Sequence, residues 1–326
     1  MYQYYASATV CLICLSDVDT TGHDTPSVLN SIQTSRWLSR GWTLQELIAS
    51  PSRLFFDTNW TLIDSSSSSI TSDLLLLPAI STATGIPLLV LHDSSKIGSF
   101  CAAQRMSWAS KRQTTREDDM AYCLMGLFDV HMPPIYGEGG LKAFRRLQIE
   151  IMQVSFDQTL FAWRGPYASS GLLAHAPSNF VETPDTSIWG PRYLAPYSMT
   201  NVGLSIHVVD VTAFGSGAGA AELEHKGAKV KALIQCDVRM GIGNGWQGLA
   251  VYLEPVEGAA FCLNGLRRKA YRRVRCSEWY PVPGRTAKYP FMGILVLEDA
   301  HEVLVINARL ADFERWGKEL PLPPGS

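Results

Sequence analysis

The side chains that most suggest chemistry in this sequence fall in two motif blocks, the first of them rich in tryptophan. The first is Ser35-Arg36-Trp37-Leu38-Ser39-Arg40-Gly41-Trp42-Thr43-Leu44-Gln45-Glu46-Leu47. Its one carboxylate, Glu46, follows two tryptophans and could serve as a reactive group. It could equally cap a helix start or pair with Arg36 or Arg40, with Trp37 and Trp42 in the core. The second block runs from Arg105-Met106-Ser107-Trp108-Ala109-Ser110-Lys111-Arg112 to Tyr136-Gly137-Glu138-Gly139-Gly140. Arg105, Trp108, Arg112 and Arg116 make a basic-aromatic group able to contact phosphate or an acidic partner. The plainer reading is that they fasten a helical segment in place, through buried aliphatic stems and ion pairs with Glu117, Asp118 or Asp119. The glycine run precedes a helix and could hold an anion at its N-terminus. It lacks the lysine and spacing of a phosphate loop, so a tight turn is expected.

Other candidates weaken on inspection. Arg267, Arg268, Lys269, Arg272, Arg273 and Arg275 surround Tyr271. Strand alternation divides them between two faces, which suits a charged edge strand better than a nucleic-acid patch. The net charge of −2 supplies no general field for nucleic acid. The 7 histidines are dispersed with no recognisable nucleophile beside them, so a hydrolase triad has no support. The 7 cysteines are scattered too, which argues for a reducing compartment rather than a disulfide framework. Cys11 and Cys14 share a strand-like run, where residues three apart point to opposite faces, and no second pair completes a metal site. No metal is expected.

The elements around these residues read as follows. Strands are predicted at 10–15 and 53–57, with helical signals between them. Continuous apolar strands of that kind suit a parallel sheet covered on both faces. Ser65 to Ser69 read as a flexible loop, with Thr71 or Ser72 capping the next helix. The uncharged run between Asp73 and His92 is interrupted by Pro78, Gly85 and Pro87, so a helix followed by a strand is predicted rather than a membrane span. Residues 101–155 read as mostly helical. Thr115 to Asp118 has capping-box spacing. Met120, Cys123, Leu124, Leu127 and Phe128, then Leu141, Phe144, Leu147, Ile151 and Met152, recur at helical spacing. Beyond 158 the period changes to two. Strands are predicted at 159–163, 203–211, 230–238, 248–254, 269–276, 293–298 and 302–308, with a loop at 215–221 and helix only after about 311. That pattern fits an antiparallel sandwich or barrel.

The order of these blocks resembles the fungal heterokaryon-incompatibility (HET) domain. Ala8 to Asp17 looks like its strand after the second helix, Arg40 to Glu46 like its Trp-Thr-Leu-Gln-Glu block, and Arg53 to Trp60 like the strand and tryptophan that follow. Arg105, Ser107 and Trp108, with Tyr136, Gly137, Glu138 and Gly139, are similar to the segment behind the domain. Ser198 to Leu204 and Lys231 to Cys236 resemble its β-rich extension. The resemblance implies residues 1–64 as the C-terminal part of a HET domain, 65–157 as a helical connector and 158–326 as a β-rich domain. Against that pattern the domain's opening strand, Trp-Gly turn and first helix are absent, through either a truncated gene model or loss, and without that strand a sheet edge would be uncovered. The resemblance also implies an α/β sheet like that of Toll/interleukin-receptor (TIR) and flavodoxin folds. In catalytic TIR domains a glutamate cleaves the nicotinamide–ribose bond of NAD. Glu46 stands in a comparable place, where a carboxylate can stabilise an oxocarbenium-like centre, and Trp37 or Trp42 could stack on the nicotinamide. The implied role is cytoplasmic non-self recognition linked to programmed cell death. It would act through protein partners or self-association, with no nucleic acid, no membrane span and NAD as a possible substrate. The alternatives are a non-enzymatic interaction module and an inactive truncated paralogue.

Overall fold

In the computed structural model the described residues are 1–63, 75–183, 186–188, 197–201, 203–211, 230–239, 246–263, 266–282 and 291–296. The serine run, the caps proposed at Thr71 and Ser72, the loop at 215–221, the strand at 302–308 and the helix after 311 lie outside them.

The chain opens with a one-turn helix, α1 (Tyr2–Ala6), and the strand β1 (Cys11–Cys14). Three helices follow: α2 (Thr25–Gln33), α3 (Arg36–Ser39) and α4 (Thr43–Ala49), before β2 (Arg53–Phe56). β1 and β2 pair in parallel, Leu12 opposite Leu54 and Cys14 opposite Phe56, so α2 to α4 form the crossover that parallel strands require. Asp24 caps α2 by accepting from the Ser27 N–H, and Pro26 stands in its first turn. Val28 and Ile32, one turn apart, turn inward.

The next segment is a series of mostly short helices joined by turns and loops. α5 (Leu77–Thr84) ends at Gly85, whose left-handed φ of 71° stops the helix. Pro87 then starts α6 (Leu88–His92). A helix therefore stands where a strand was predicted, because the apolar run after Pro87 is too short to show its period. α7 (Ala102–Ser107) leads to two four-residue helices, α8 (Asp119–Tyr122) and α9 (Met125–Phe128), and then to the long α10 (Gly140–Val154). The single helix expected over Met120 to Phe128 is thus broken at Cys123 and Leu124. Phe144, Leu147, Ile151 and Met152 are buried on α10, whereas Leu141 is 44% exposed. Thr115 does not cap it: α8 begins at Asp119, and its N-cap residue, Asp118, makes no side-chain cap.

The strand predicted at 159–163 is a 3-10 helix, Gln158–Phe161, whose first turn is tied by Asp157 to the Thr159 N–H at 2.9 Å. The strands come later: β3 (Ser169–Ser170), β4 (Thr186–Ile188), β5 (Ser198–Thr200), β6 (Gly203–Asp210), β7 (Val230–Arg239), β8 (Trp246–Leu263), β9 (Leu266–Val274), β10 (Tyr280–Val282) and β11 (Phe291–Val296). β8 pairs with β7, β7 with β6, β6 with β11, β11 with β9, and β9 with β8 again. Five strands therefore close a ring, all antiparallel except β9–β11. The long β8 can join both ends because its pairing passes from β7 to β9 along its length. Leu204, Ile206 and Val208 on β6 alternate into the core with Ala232, Ile234 and Cys236 on β7. One continuous set of buried side chains runs from Ile13 through Leu147 to Val296. Among the described residues no helix is long and apolar enough to cross a membrane.

Candidate functional site

The two motif blocks meet. Gly41 donates its N–H to the carbonyl of Gln113 at 2.8 Å, and Gln113 donates back to Ser39 at 2.7 Å. A short parallel bridge between Arg40 and Gln113 results. The approach depends on Gly41: a Cβ there would lie 2.4 Å from the Thr114 methyl and 3.1 Å from the Cys123 sulfur. One turn further on, the buried Gln45 amide donates to the Cys123 carbonyl at 2.6 Å. Arg112 reaches back with one nitrogen, Nη1, to the Arg40 carbonyl at 2.8 Å and the Thr43 hydroxyl at 2.9 Å. The Thr43 hydroxyl donates in turn to the carbonyls of Trp37 and Arg40. Leu44 is fully buried beside them. Burial lowers the pKa of Arg112 to about 10, against opposing pulls from Cys123 and Glu46. The Cys123 thiol is pushed up to about 12 by burial.

Glu46 faces elsewhere. Its Oε1 accepts the Tyr5 hydroxyl at 3.1 Å, a partner that the sequence did not suggest. Burial and the Glu46 charge together raise Tyr5 to about 12. Arg36, proposed as a partner of Glu46, pairs instead with Asp17 at 3.4 Å. Asp17 also accepts from the Ser35 hydroxyl and the Arg36 N–H. The tryptophans flanking Glu46 are partly buried against the core, and Trp37 sits edge-on to Phe55 at 6.3 Å.

The arginines of the second block act through carbonyls and rings, not the expected ion pairs with Glu117, Asp118 and Asp119. Arg105 donates to the Leu127 carbonyl at 3.0 Å and lies 4.8 Å from the Phe128 ring centre. Arg116 covers Tyr136 at 4.7 Å. Trp108 is buried edge-on to Phe100, and Ser107 bonds the Gln104 carbonyl within its own helix.

The glycine turn before α10 already has its anion. The buried Asp118 carboxylate accepts from Gly137 N–H at 3.0 Å and Gly139 N–H at 2.7 Å, the place an outside anion would take. The left-handed φ of 86° at Gly139 aims its N–H there. Glu138 is held by the Tyr122 hydroxyl at 2.7 Å and by Arg146.

The basic run divides as strand geometry requires. Arg272 is exposed and meets Glu254, whereas Arg273 is buried, donates to the Phe161 and Trp163 carbonyls and lies 4.0 Å from the Trp163 ring centre. The side chains of Arg267, Arg268 and Lys269 lie outside the described ones. The reading that no histidine meets a nucleophile needs correction: Ser170 Oγ lies 3.0 Å from His175 Nε2. Five residues across a turn bring them together, which spacing alone does not reveal. Ser170 is only 6% exposed, whereas His175 is partly exposed. Among the described residues no group of three His, Cys, Asp or Glu could hold a metal.

One feature at the surface stands apart. Trp60 is 63% exposed and carries a φ of 58°, a backbone state unfavourable for a bulky side chain. The fully buried Asp57 holds it there, accepting from Thr20, Asn59 and Thr61. Phe56 packs on the indole at 5.6 Å.

Two comparisons bear on what this arrangement belongs to. Residues 142–204 match a family model described as a domain of unknown function, DUF8212. Over 154 residues the chain is 44% identical to the vegetative incompatibility protein HET-E-1 of Podospora anserina. The match takes in 46% of this chain but only 11% of that protein's length. No solved structure matches.

Proposed function

From its relationship to a fungal heterokaryon-incompatibility protein, we propose that this chain works in non-self recognition of the vegetative-incompatibility kind. Its output is programmed cell death, reached in the cytoplasm through contact with a protein partner or another copy. The similarity to a vegetative incompatibility protein carries this reading. The structure supports it in one respect: the motif residues from Arg40 to Gln45, together with Arg112, join two segments of the chain. A motif used that way sets the shape of a module. The strained, exposed Trp60 suits recognition better than core packing.

A second reading, TIR-like cleavage of NAD by Glu46, is favoured by one observation. Glu46 is half-exposed on the first turn of α4, with Trp42 immediately before that helix. Such a carboxylate could face a ribose cation. Glu46→Gln separates the two readings. The first expects the expressed variant to trigger the incompatibility reaction undiminished, with no NAD consumed by the purified chain. Loss of the reaction together with a measurable NAD turnover in the unsubstituted protein would replace it with the second.

A further inference from the structure

Between α9 and α10 the chain runs Met132-Pro133-Pro134-Ile135-Tyr136 before the glycine turn. Residues 130–135 belong to no helix or strand. Each proline fixes its own φ and drives the residue before it toward extended backbone. Both follow trans peptide bonds. Met132 to Pro134 are thereby set toward the polyproline II conformation.

The segment is fastened from behind. Met132 is buried. The Ile135 N–H donates to the Tyr122 hydroxyl at 2.8 Å, and Arg146 donates to the Pro133 carbonyl at 2.8 Å. These bonds hold the backbone and leave the motif's side chains outside. Pro133, Pro134, Ile135 and Tyr136 are all exposed, Ile135 by 51% and Tyr136 by 55%. Tyr122 meets the Tyr136 ring edge-on at 5.7 Å and Arg116 covers it at 4.7 Å, so the ring is steadied but open. A break between two helices needs the prolines and glycines. It does not need an isoleucine and a tyrosine turned outward, and four exposed apolar or aromatic residues in a row are a liability unless something binds them.

We propose that Pro133-Pro134-Ile135-Tyr136 is a docking motif for a WW-type module, a small sheet domain with a groove lined by aromatic side chains. Such a groove clasps a polyproline II turn against its rings. A tyrosine three residues after the first proline fills the adjoining pocket. The Pro-Pro-x-Tyr spacing supplies both parts on one exposed strip, whereas the Pro-x-x-Pro spacing of an SH3 ligand is absent from it. Because the strip is held before contact, little ordering opposes binding. Ile135 occupies the variable position, which the groove does not read. The assignment does not depend on the incompatibility role.

The test is calorimetric titration of the whole chain with a purified WW domain that binds Pro-Pro-x-Tyr peptides. One-to-one binding is expected, weakened more than about tenfold by Tyr136→Ala and by Pro134→Ala but less than about threefold by Ile135→Ala. No binding by the unsubstituted chain, or binding that Tyr136→Ala leaves unchanged, overturns the proposal. Should the variants fail to fold, the unsubstituted chain is added to the isotope-labelled WW domain and NMR shifts are followed. Shifts at the groove's aromatic residues, reversed by excess free peptide spanning residues 131–138, are the expected result. Shifts elsewhere, or groove shifts that the peptide does not reverse, contradict the proposal.

Discussion

The Gln45 amide donates to the Cys123 carbonyl at 2.6 Å across 78 residues of sequence, and both groups are buried. This bond and the Arg40–Gln113 bridge join the two motif blocks. Cutting Gln45 back to alanine leaves the carbonyl buried without a donor and opens a small void. Gln45→Ala is expected to cost about 2–3 kcal/mol, read as a lower denaturation midpoint at unchanged slope. Gln45→Glu should be worse at neutral pH, since it sets a carboxylate against a carbonyl, and should recover partly in acid.

Gly41 is needed for space. Gly41→Ala puts its methyl 2.4 Å from the Thr114 side-chain methyl, an overlap expected to cost about 1–3 kcal/mol. Thr114→Ser removes that methyl and keeps the hydroxyl that donates to the Arg116 carbonyl. The double variant should regain most of the lost stability in thermal or chemical unfolding. If it regains none, the contact with Thr114 is not what forbids a side chain at position 41.

Asp57 should shape stability in acid. Burial alone would raise its pKa, but the Thr20 hydroxyl and the N–H groups of Thr61, Asn59 and Thr20 outweigh it and hold the carboxyl below 3.8. A carboxyl with a depressed folded pKa contributes stability that is complete at neutral pH. That contribution fades as pH falls through the folded value. Denaturant titrations between roughly pH 6 and 2 should show a steeper acid loss in the unsubstituted chain than in Asp57→Asn. Asp57→Asn should also be the less stable of the two at pH 7.

Trp60 offers the opposite kind of test. Glycine adopts a φ of 58° without strain. Because most of the indole is exposed, Trp60→Gly should change stability by less than about 1 kcal/mol in either direction. If Trp60 serves recognition, the same variant should lose its incompatibility response while unfolding at nearly the original midpoint.

Much of the fold was legible because its signals are local. The apolar runs at Cys11–Cys14 and Arg53–Phe56 became paired strands, and the period-two stretches predicted between 203 and 298 fall on the strands of the closed ring. Failures occurred where a short apolar run has no measurable period: Leu88–His92 is a helix, and Gln158–Phe161 is a 3-10 turn fixed by Asp157. The site was less legible. The resemblance singled out Gly41 and Gln45, and the basic-aromatic group Arg112, but not their mutual contact, because their partners lie some seventy residues away. The Asp118 carboxylate filling the glycine turn, and the Tyr5 hydroxyl on Glu46, are long-range pairings of ordinary residue types. No local pattern marks them.

The measurement that bears most directly on the proposed role is the incompatibility reaction itself. The chain is expressed from an inducible promoter in a filamentous fungus, beside Gln45→Ala at matched protein level, and hyphal growth and viability are scored. Growth arrest and cell death with the unsubstituted chain, lost or strongly reduced in Gln45→Ala, is the expected result. Unimpaired growth with the unsubstituted chain at the same expression level would contradict the role in vegetative incompatibility.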